Sequence, residues 1–420
     1  MDLIMKHIAF AKIGKSVKLR TNKYSPVGGD NEASCVLRAI ANNNPDKIFY
    51  IVGRSDFASL TETDKADLFP YNNVIDIWAE MKIERVPTDR YFWWIKTYFE
   101  ENNITLDATV MMVGQIGNVS IPEKMKKVRE ENDDGKPAFV LDMTKWYVTP
   151  LTFWLNECKP HYVEVINDPR YTMRQARDFM HLPFKGLSQY DYTYTAHPIK
   201  SIEDQSRQDI PVNCEYAAME TAFCVDYEYT EEVNTNRNTD FMVVLNEGKP
   251  SRYKLLKEWV LDKFDDVEIY GKWGNNAKGD NRFKGSMHLK QLQNKLQDVK
   301  FTFIIPIKEG WVTSKYIEMI HAGVIPFLHP SYDMQGHTPI PEILRPKTPE
   351  EFHKNLQYLI DNKLAYEQTI YELRKAVLKP EYYDGSFIND KIFTAFDSNY
   401  KRPDLTGYEV QKPATLEAFF

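Results

Sequence analysis

The sequence predicts an α/β protein with two doubly wound, Rossmann-like domains. Three observations lead to this prediction. Short apolar runs alternate with stretches of helical apolar spacing. The apolar runs end in clusters of glycine and polar residues, as strands of a parallel sheet do before the next helix. A polar stretch without helical period, 198–233, separates two such series, and 420 residues suffice for two cores.

The domain organisation follows from these two series. We expect an N-terminal acceptor-side domain over 1–200, a connector over 201–235 and a C-terminal donor domain over 236–385. The last segment, 386–420, is expected to return toward the N-terminal domain.

In the N-terminal half, apolar runs predict strands at 6–11, 47–52, 109–113, 138–141 and 162–166. Gly28 and Gly29 follow the first strand and permit a close approach of the backbone to a ligand. Asp30 can cap the helix that runs to about Ala41. A basic segment precedes the two glycines and contains Lys12, Lys15, Lys18, Arg20 and Lys23.

In the C-terminal half, strands are predicted at 240–245, 267–270, 301–307 and 324–328. Helices are predicted at 252–264, 289–296 and 311–322. The turn at Gly310 lies between a strand end and a helix N-terminus, where free N–H groups and the helix dipole favour an anion. Cations also follow strand ends or begin helices here, and they are Lys249, Arg252, Lys272 and Lys315. Together they would suit a diphosphate.

Composition excludes some classes of protein. The formal net charge of −7 excludes a nucleic-acid-binding protein that is basic over its whole surface. It is compatible with a local basic face. No apolar run reaches the length of a membrane span, and no signal-peptide pattern occurs at the first residues. The four cysteines show no CxxC spacing, so neither a zinc site nor a disulfide framework is indicated. We expect a cytoplasmic monomer, in the host cell if a bacteriophage encodes it.

The segment Glu318-x4-Gly323-x-Ile325-Pro326 resembles a segment of the T-even bacteriophage DNA α-glucosyltransferases and the donor-site helix of retaining GT-B enzymes. The run 267–271, VEIYG, resembles a strand of the same phage family. The first glycine loop resembles that of related phage DNA glycosyltransferases. The resemblance covers chiefly 240–330 and implies the GT-B fold, in which two Rossmann-like domains face each other across a crevice.

This resemblance implies a glycosyltransferase that takes a hexose or pentose from a UDP-sugar, such as UDP-glucose or UDP-arabinose. The implied acceptor is the hydroxymethyl group of 5-hydroxymethylcytosine in double-stranded bacteriophage DNA. GT-B enzymes stabilise the leaving diphosphate with a helix dipole and Lys or Arg, so neither a metal nor a further cofactor is expected.

The residues expected to act follow from the strand ends and from the resemblance. Those expected to bind the donor are Gly28, Gly29, Lys249, Arg252, Tyr270, Lys272, Gly310, Trp311, Thr313, Ser314, Lys315 and Glu318. Those expected to bind the acceptor are Lys15, Lys18, Arg20 and Lys23.

The catalytic base is predicted to be Asp30, with Asp142 and Asp168 as weaker candidates. Asp30 as a plain helix cap is the competing interpretation. In a retaining enzyme the departing phosphate takes the proton and Asp30 would position the acceptor. The sequence leaves the stereochemistry open.

Two other functions compete with transfer to DNA. One is a GT-B enzyme acting on a polysaccharide, a protein or a small molecule. The other is a non-catalytic binding protein with the same two-domain architecture. The cations and the glutamate of the predicted phosphate crevice argue against the latter.

Overall fold

The computed structural model describes residues 6–13, 17, 19, 31–52, 55–77, 98–113, 161–166, 185–188, 213–216, 219–306, 313–332 and 340–397. All statements below concern these residues.

The first half forms a seven-stranded sheet within the described residues, in the order β3-β2-β1-β4-β5-β6-β7. Every neighbouring pair is parallel. The strands are β1 His7–Ile13, β2 Ile48–Ile51, β3 Val74–Asp76, β4 Ala108–Val113, β5 His161–Ile166, β6 Lys185–Ser188 and β7 Asn213–Tyr216. The chain direction across the sheet reverses between β1 and β4, which makes that gap the topological switch point.

Two helices of this half are α1 Asn31–Asn42 and α2 Glu62–Leu68. Helix α1 buries Val36, Leu37 and Ile40 against the first core. Helix α2 begins at a capping box, in which the Thr61 side chain accepts from Asp64 N and the Asp64 carboxylate accepts from Thr61 N.

Strand β7 lies inside the range 201–235 that the sequence predicts to be a connector. Its four residues, NCEY, pair in parallel with β6 through the main chain. A polar run of this length carries no apolar pattern, so periodicity cannot reveal it. A 3-10 helix, Met219–Asp226, follows before the second sheet begins.

The second half forms a five-stranded sheet in the order β10-β9-β8-β11-β12, again with parallel neighbours. The strands are β8 Thr239–Val244, β9 Glu268–Tyr270, β10 Phe283–Gly285, β11 Val299–Ile304 and β12 Ile325–Leu328. The switch point of this sheet lies between β8 and β11.

The helices of this half largely follow the predicted alternation with strands. They are α3 Pro250–Leu256, α4 Leu289–Leu296, α5 Ser314–His321, α6 Pro349–Asp361, α7 Lys363–Val377, α8 Pro380–Tyr383 and α9 Ser386–Asp397. The helix expected over 252–264 is α3 followed by a π-helical turn, Lys257–Leu261. Helix α5 is shorter than the predicted 311–322, and residues 311 and 312 lie outside the described residues.

Helix α1 contacts both segments through which the chain passes between the halves. The Arg38 guanidinium pairs with the Asp226 carboxylate and donates to Val225 O over 3.1 Å. Asn44 Nδ2 donates to Asn389 Oδ1 on α9 over 2.6 Å. The described part of the segment 386–420 therefore lies against the N-terminal half.

Candidate functional site

The candidate site lies at the carboxyl edge of the second sheet, around the switch point between β8 and β11. At such a point the loops after the two strands diverge and leave a crevice for a ligand. The loop 245–249 follows β8, the loop 271–274 follows β9, and Ile305 follows β11. Helix α5 comes next along the chain.

Arg252 is the most buried cation of this edge, with 9% of its surface exposed. Its Nε and Nη2 donate to Ile305 O over 3.0 and 2.5 Å, and its Nη1 donates to Asn246 O over 2.6 Å. Burial lowers the pKa of Arg252 to about 10, which still leaves the guanidinium charged at neutral pH. The side chain thus bridges the ends of the two strands at the switch point.

The loops after β8 and β9 are tied to each other. Asn246 Oδ1 accepts from Lys272 N over 2.7 Å, and Glu247 Oε2 accepts from Gly274 N over 2.5 Å. Gly271 has φ +138°, and a Cβ there would lie 2.0 Å from Leu245 O. Only glycine therefore allows this close approach. The ties fix the backbone from which the exposed Lys272 projects.

The N-terminus of helix α5 receives no capping hydrogen bond from the side chain of its N-cap residue, Thr313. The Tyr332 hydroxyl accepts from Thr313 N and donates to Thr313 O, each over 3.0 Å, which fixes the main chain at the helix start. The first N–H groups of a helix are natural donors to an anion, and the helix dipole adds to the attraction.

Glu318 lies one turn further along α5 and is held by two neighbours. Ser314 Oγ donates to Glu318 Oε1 over 2.9 Å, and Lys315 Nζ donates to Glu318 Oε2 over 2.5 Å. Desolvation would raise the pKa of the Glu318 carboxyl, but Lys315 and Ser314 outweigh it and hold that pKa below its usual value. The carboxylate is therefore ionised at neutral pH and accepts hydrogen bonds.

Two buried arginines fix the other end of α5. Arg374 Nη1 donates to Ile320 O and His321 O over 2.9 and 2.8 Å. Arg237 Nη2 donates to Ala322 O over 2.8 Å. Cations near the last carbonyl groups interact favourably with the helix dipole, so these bonds stabilise the carboxyl end of α5.

The structure places the expected donor residues in two groups. Lys249 is the N-cap residue of α3, and Lys272 follows β9 at the same sheet edge. Thr313, Ser314, Lys315 and Glu318 form the second group, on α5. Lys315 forms an ion pair with Glu318, so its charge is already balanced by that carboxylate.

Tyr270 ends β9 and is buried. Its hydroxyl lies 3.4 Å from Glu268 Oε2, and Lys295 Nζ lies 5.3 Å from its ring centroid. These contacts give the Tyr270 side chain packing partners beside α4.

Several predicted residues lie outside the described residues. They are Lys15, Lys18, Arg20, Lys23, Gly28, Gly29, Asp30, Asp142, Asp168, Gly310 and Trp311. Their roles stay predictions from the sequence.

Sequence reasoning missed Asn246, Glu247 and Tyr332 as residues that shape the site. Asn246 and Glu247 directly follow a predicted strand, so the strand-end rule could have singled them out. Tyr332 carries no comparable signal, because its contact with Thr313 appears only when the chain has folded.

No group of three His, Cys, Asp or Glu side chains within the described part of the chain is arranged to hold a metal ion. Among the same residues, none of the helices has both the length and the apolar character needed to span a bilayer.

No protein-family model matches the chain. No curated protein sequence matches it either. Solved structures do match. A mutant of T4 phage β-glucosyltransferase in complex with UDP-glucose superposes with a TM-score of 0.58 at 10% identity, covering 93% of this chain and 100% of that one.

A second structure of the T4 phage enzyme, in complex with UDP and Mn²⁺, has a TM-score of 0.57 at 11% identity with the same coverage. A third, of the DNA-modifying enzyme β-glucosyltransferase with and without uridine diphosphoglucose, has a TM-score of 0.55 at 11% identity and covers 94% of this chain and 100% of that one. At this identity the likeness defines the fold: the chain has the GT-B fold, as expected.

Proposed function

We propose that the protein is a glycosyltransferase that transfers a sugar from a UDP-sugar. The observation that carries the proposal is the α5 N-terminus, which comes next along the chain after the β11 end of the switch point, has no capping hydrogen bond from the Thr313 side chain, and carries Lys315 and Glu318. Lys249 and Lys272 lie on the two neighbouring strand-end loops. The similar T4 phage enzyme binds UDP-glucose in its own crystal structures, which supports the same donor class here.

The proposed chemistry uses these groups in distinct roles. The leaving UDP develops negative charge, which the N–H groups of α5 and the lysines of the neighbouring loops stabilise. Glu318 is ionised and accepts hydrogen bonds from hydroxyl groups of the donor. Asp30 takes the acceptor proton, or positions the acceptor if the stereochemistry is retained. Glucose or a pentose such as arabinose is the transferred sugar.

For the acceptor we propose the hydroxymethyl group of 5-hydroxymethylcytosine in double-stranded bacteriophage DNA. Two observations support it: the resemblance of 318–328 and the first glycine loop to phage DNA glycosyltransferases, and the likeness in fold to a DNA-modifying phage enzyme. The net charge of −7 favours a second candidate, an acceptor that is not a polyanion, such as a polysaccharide, a protein or a small molecule.

Mass spectrometry of modified DNA decides between the two. Duplex DNA that contains 5-hydroxymethylcytosine is incubated with the protein and either UDP-glucose or UDP-arabinose, and DNA with ordinary cytosine is the control. A mass increase of one sugar per modified base supports DNA as the acceptor. UDP release without any mass increase of the DNA points to the second candidate. A protein that neither binds UDP nor releases it from any donor would contradict the proposed function.

A further inference from the structure

Every hydrogen bond described for the Arg252 side chain is donated to a main-chain carbonyl oxygen. Its Nε and Nη2 both donate to Ile305 O, directly after β11, and its Nη1 donates to Asn246 O, in the loop after β8. These carbonyls flank the switch point from either side. With 9% of its surface exposed, the residue leaves little area for a ligand.

We infer that Arg252 is a positioning residue, which keeps the loop 245–249 and the end of β11 at a fixed separation. The inference rests on the proposed function, because it assigns to Arg252 the task of aligning Lys249 and the α5 N-terminus on one diphosphate. It revises the expectation that Arg252 contacts the phosphates itself. The bonds to Ile305 and Asn246 set the geometry in which other groups meet the donor.

The chemistry of arginine explains why this residue type occupies the position. A guanidinium is planar and presents five N–H donors in a fixed fork. Two of them converge on one carbonyl oxygen while a third reaches the opposite strand end. A lysine ammonium carries the same charge on a flexible stem and has no such fork, so it cannot reproduce the bridge.

Arg282 provides a matched control within the same half. Its Nη1 donates to Leu261 O and Phe264 O over 2.7 and 2.9 Å, and its Nη2 pairs with Asp280. Arg282 directly precedes β10, so it bridges main-chain carbonyl groups at the amino edge of the sheet, whereas Arg252 does so at the carboxyl edge.

The test compares Arg252→Lys with Arg282→Lys. Thermal melting first establishes that both variants fold. Hydrogen exchange on the ligand-free proteins then measures how often the loop backbone opens. Calorimetry measures the affinity for UDP, and ligand-observed NMR measures the affinity for uridine. We expect Arg252→Lys to speed exchange in 245–249 and at 305, and to weaken UDP roughly tenfold, while uridine, which carries no diphosphate, keeps its wild-type affinity. Arg282→Lys should lower the melting temperature but keep both affinities.

Three outcomes would overturn the inference. Arg252→Lys could keep wild-type UDP affinity. A lysine could preserve a direct contact between its charge and the ligand, but it could not rebuild the bridge between the two carbonyl groups. The variant could weaken UDP and uridine by the same factor, which a bridge that acts through the diphosphate-binding groups does not explain. It could leave exchange in the two loops unchanged. A wild-type protein that binds no UDP refutes the proposed function instead, and the exchange comparison still decides whether Arg252 holds the loops.

Discussion

Lys315 and Glu318 depend on each other within one turn of α5. The short contact between Lys315 Nζ and Glu318 Oε2 keeps the carboxylate ionised and oriented. Under the proposed function, removal of either partner would therefore change the charge that a bound UDP-sugar meets.

We expect Glu318→Ala and Lys315→Ala each to reduce kcat/KM for sugar transfer, with a loss of about 3 kcal/mol of transition-state stabilisation. Steady-state kinetics with a saturating acceptor measure it. Lys300→Ala is the control, since Lys300 pairs with Asp240 at the opposite, amino edge of the sheet. Near wild-type turnover in both α5 variants would remove this helix from the donor site.

His329 links stability to pH. Its Nδ1 lies 2.6 Å from Ser331 Oγ and accepts from Ser331 N over 3.1 Å, which requires an unprotonated Nδ1. Burial lowers the pKa of His329 from 6.5 to about 4. The unfolded chain therefore takes up the proton first as the pH falls, and the stability present above pH 6.5 is lost toward pH 4.

We expect the wild-type melting temperature to fall between pH 6.5 and about 4, the window given by the pKa of His329. His329→Asn retains a hydrogen-bond acceptor without a titrating ring, so its melting temperature should fall less over the same window. Burial also lowers the pKa of His321 to about 4. Its contribution to the fall in melting temperature is the same in the wild type and in the variant. Identical curves for variant and wild type would rule His329 out as a contributor.

At the scale of the elements, the buried pair of Arg38 and Asp226 joins α1 to the 3-10 helix Met219–Asp226. The Asp226 side chain is fully buried and that of Arg38 is 11% exposed. A buried carboxylate that loses its cation is far more costly than a pair that is replaced as a whole.

We expect Arg38→Met to lower the free energy of unfolding by about 3–5 kcal/mol, because Asp226 loses this cation in a buried position. The double variant, Arg38→Met with Asp226→Leu, should regain part of that loss. Urea denaturation of the wild type, both single variants and the double variant closes the cycle. Additive losses in the double variant would show that the two side chains act independently.

The α5 N-terminus also leads to a prediction about metal. Under the proposed function, its N–H groups and the lysines of the candidate site would supply the positive charge that a divalent ion would otherwise bring to the diphosphate. We expect sugar transfer to persist in EDTA. Loss of activity with EDTA that returns with Mg²⁺ or Mn²⁺ would contradict this account, whereas a stimulation of about two- to threefold would be compatible with faster product release.

The sequence predicted long apolar strands such as β8 and β11 well, because a strand buried on both faces reads as a continuous apolar run. It did not predict the short strands β3, β6, β7 and β10, whose pairing depends on main-chain groups of neighbouring strands. Arg252 shows the same limit at the site. The sequence shows that Arg252 follows a predicted strand, but it does not show its carbonyl partner Ile305, which is 53 residues away.

At the scale of the whole molecule, a net charge of −7 must be reconciled with a DNA acceptor. The basic segment 12–23 would have to supply the contact, and each neutralised phosphate releases counterions. DNA affinity should then fall with salt with a log–log slope of about −0.9 per phosphate.

We expect the triple variant Lys15→Glu, Lys18→Glu and Arg20→Glu to weaken DNA binding and flatten this slope, and to leave UDP affinity unchanged. Fluorescence anisotropy with duplex DNA at several salt concentrations measures the first effect and calorimetry of UDP the second. Unchanged DNA affinity would exclude this segment as the contact. Absence of DNA binding by the wild type at low salt would favour the non-DNA acceptors.

The two crossings of the chain between the halves both rest on α1. The first is the 3-10 helix that Arg38 holds, and the second is the turn into α9, where a Cβ on Gly385 would lie 2.7 Å from the Ala39 Cβ. Both connections therefore depend on one helix, so a substitution that unfolds α1 would release both attachments of the C-terminal half at once.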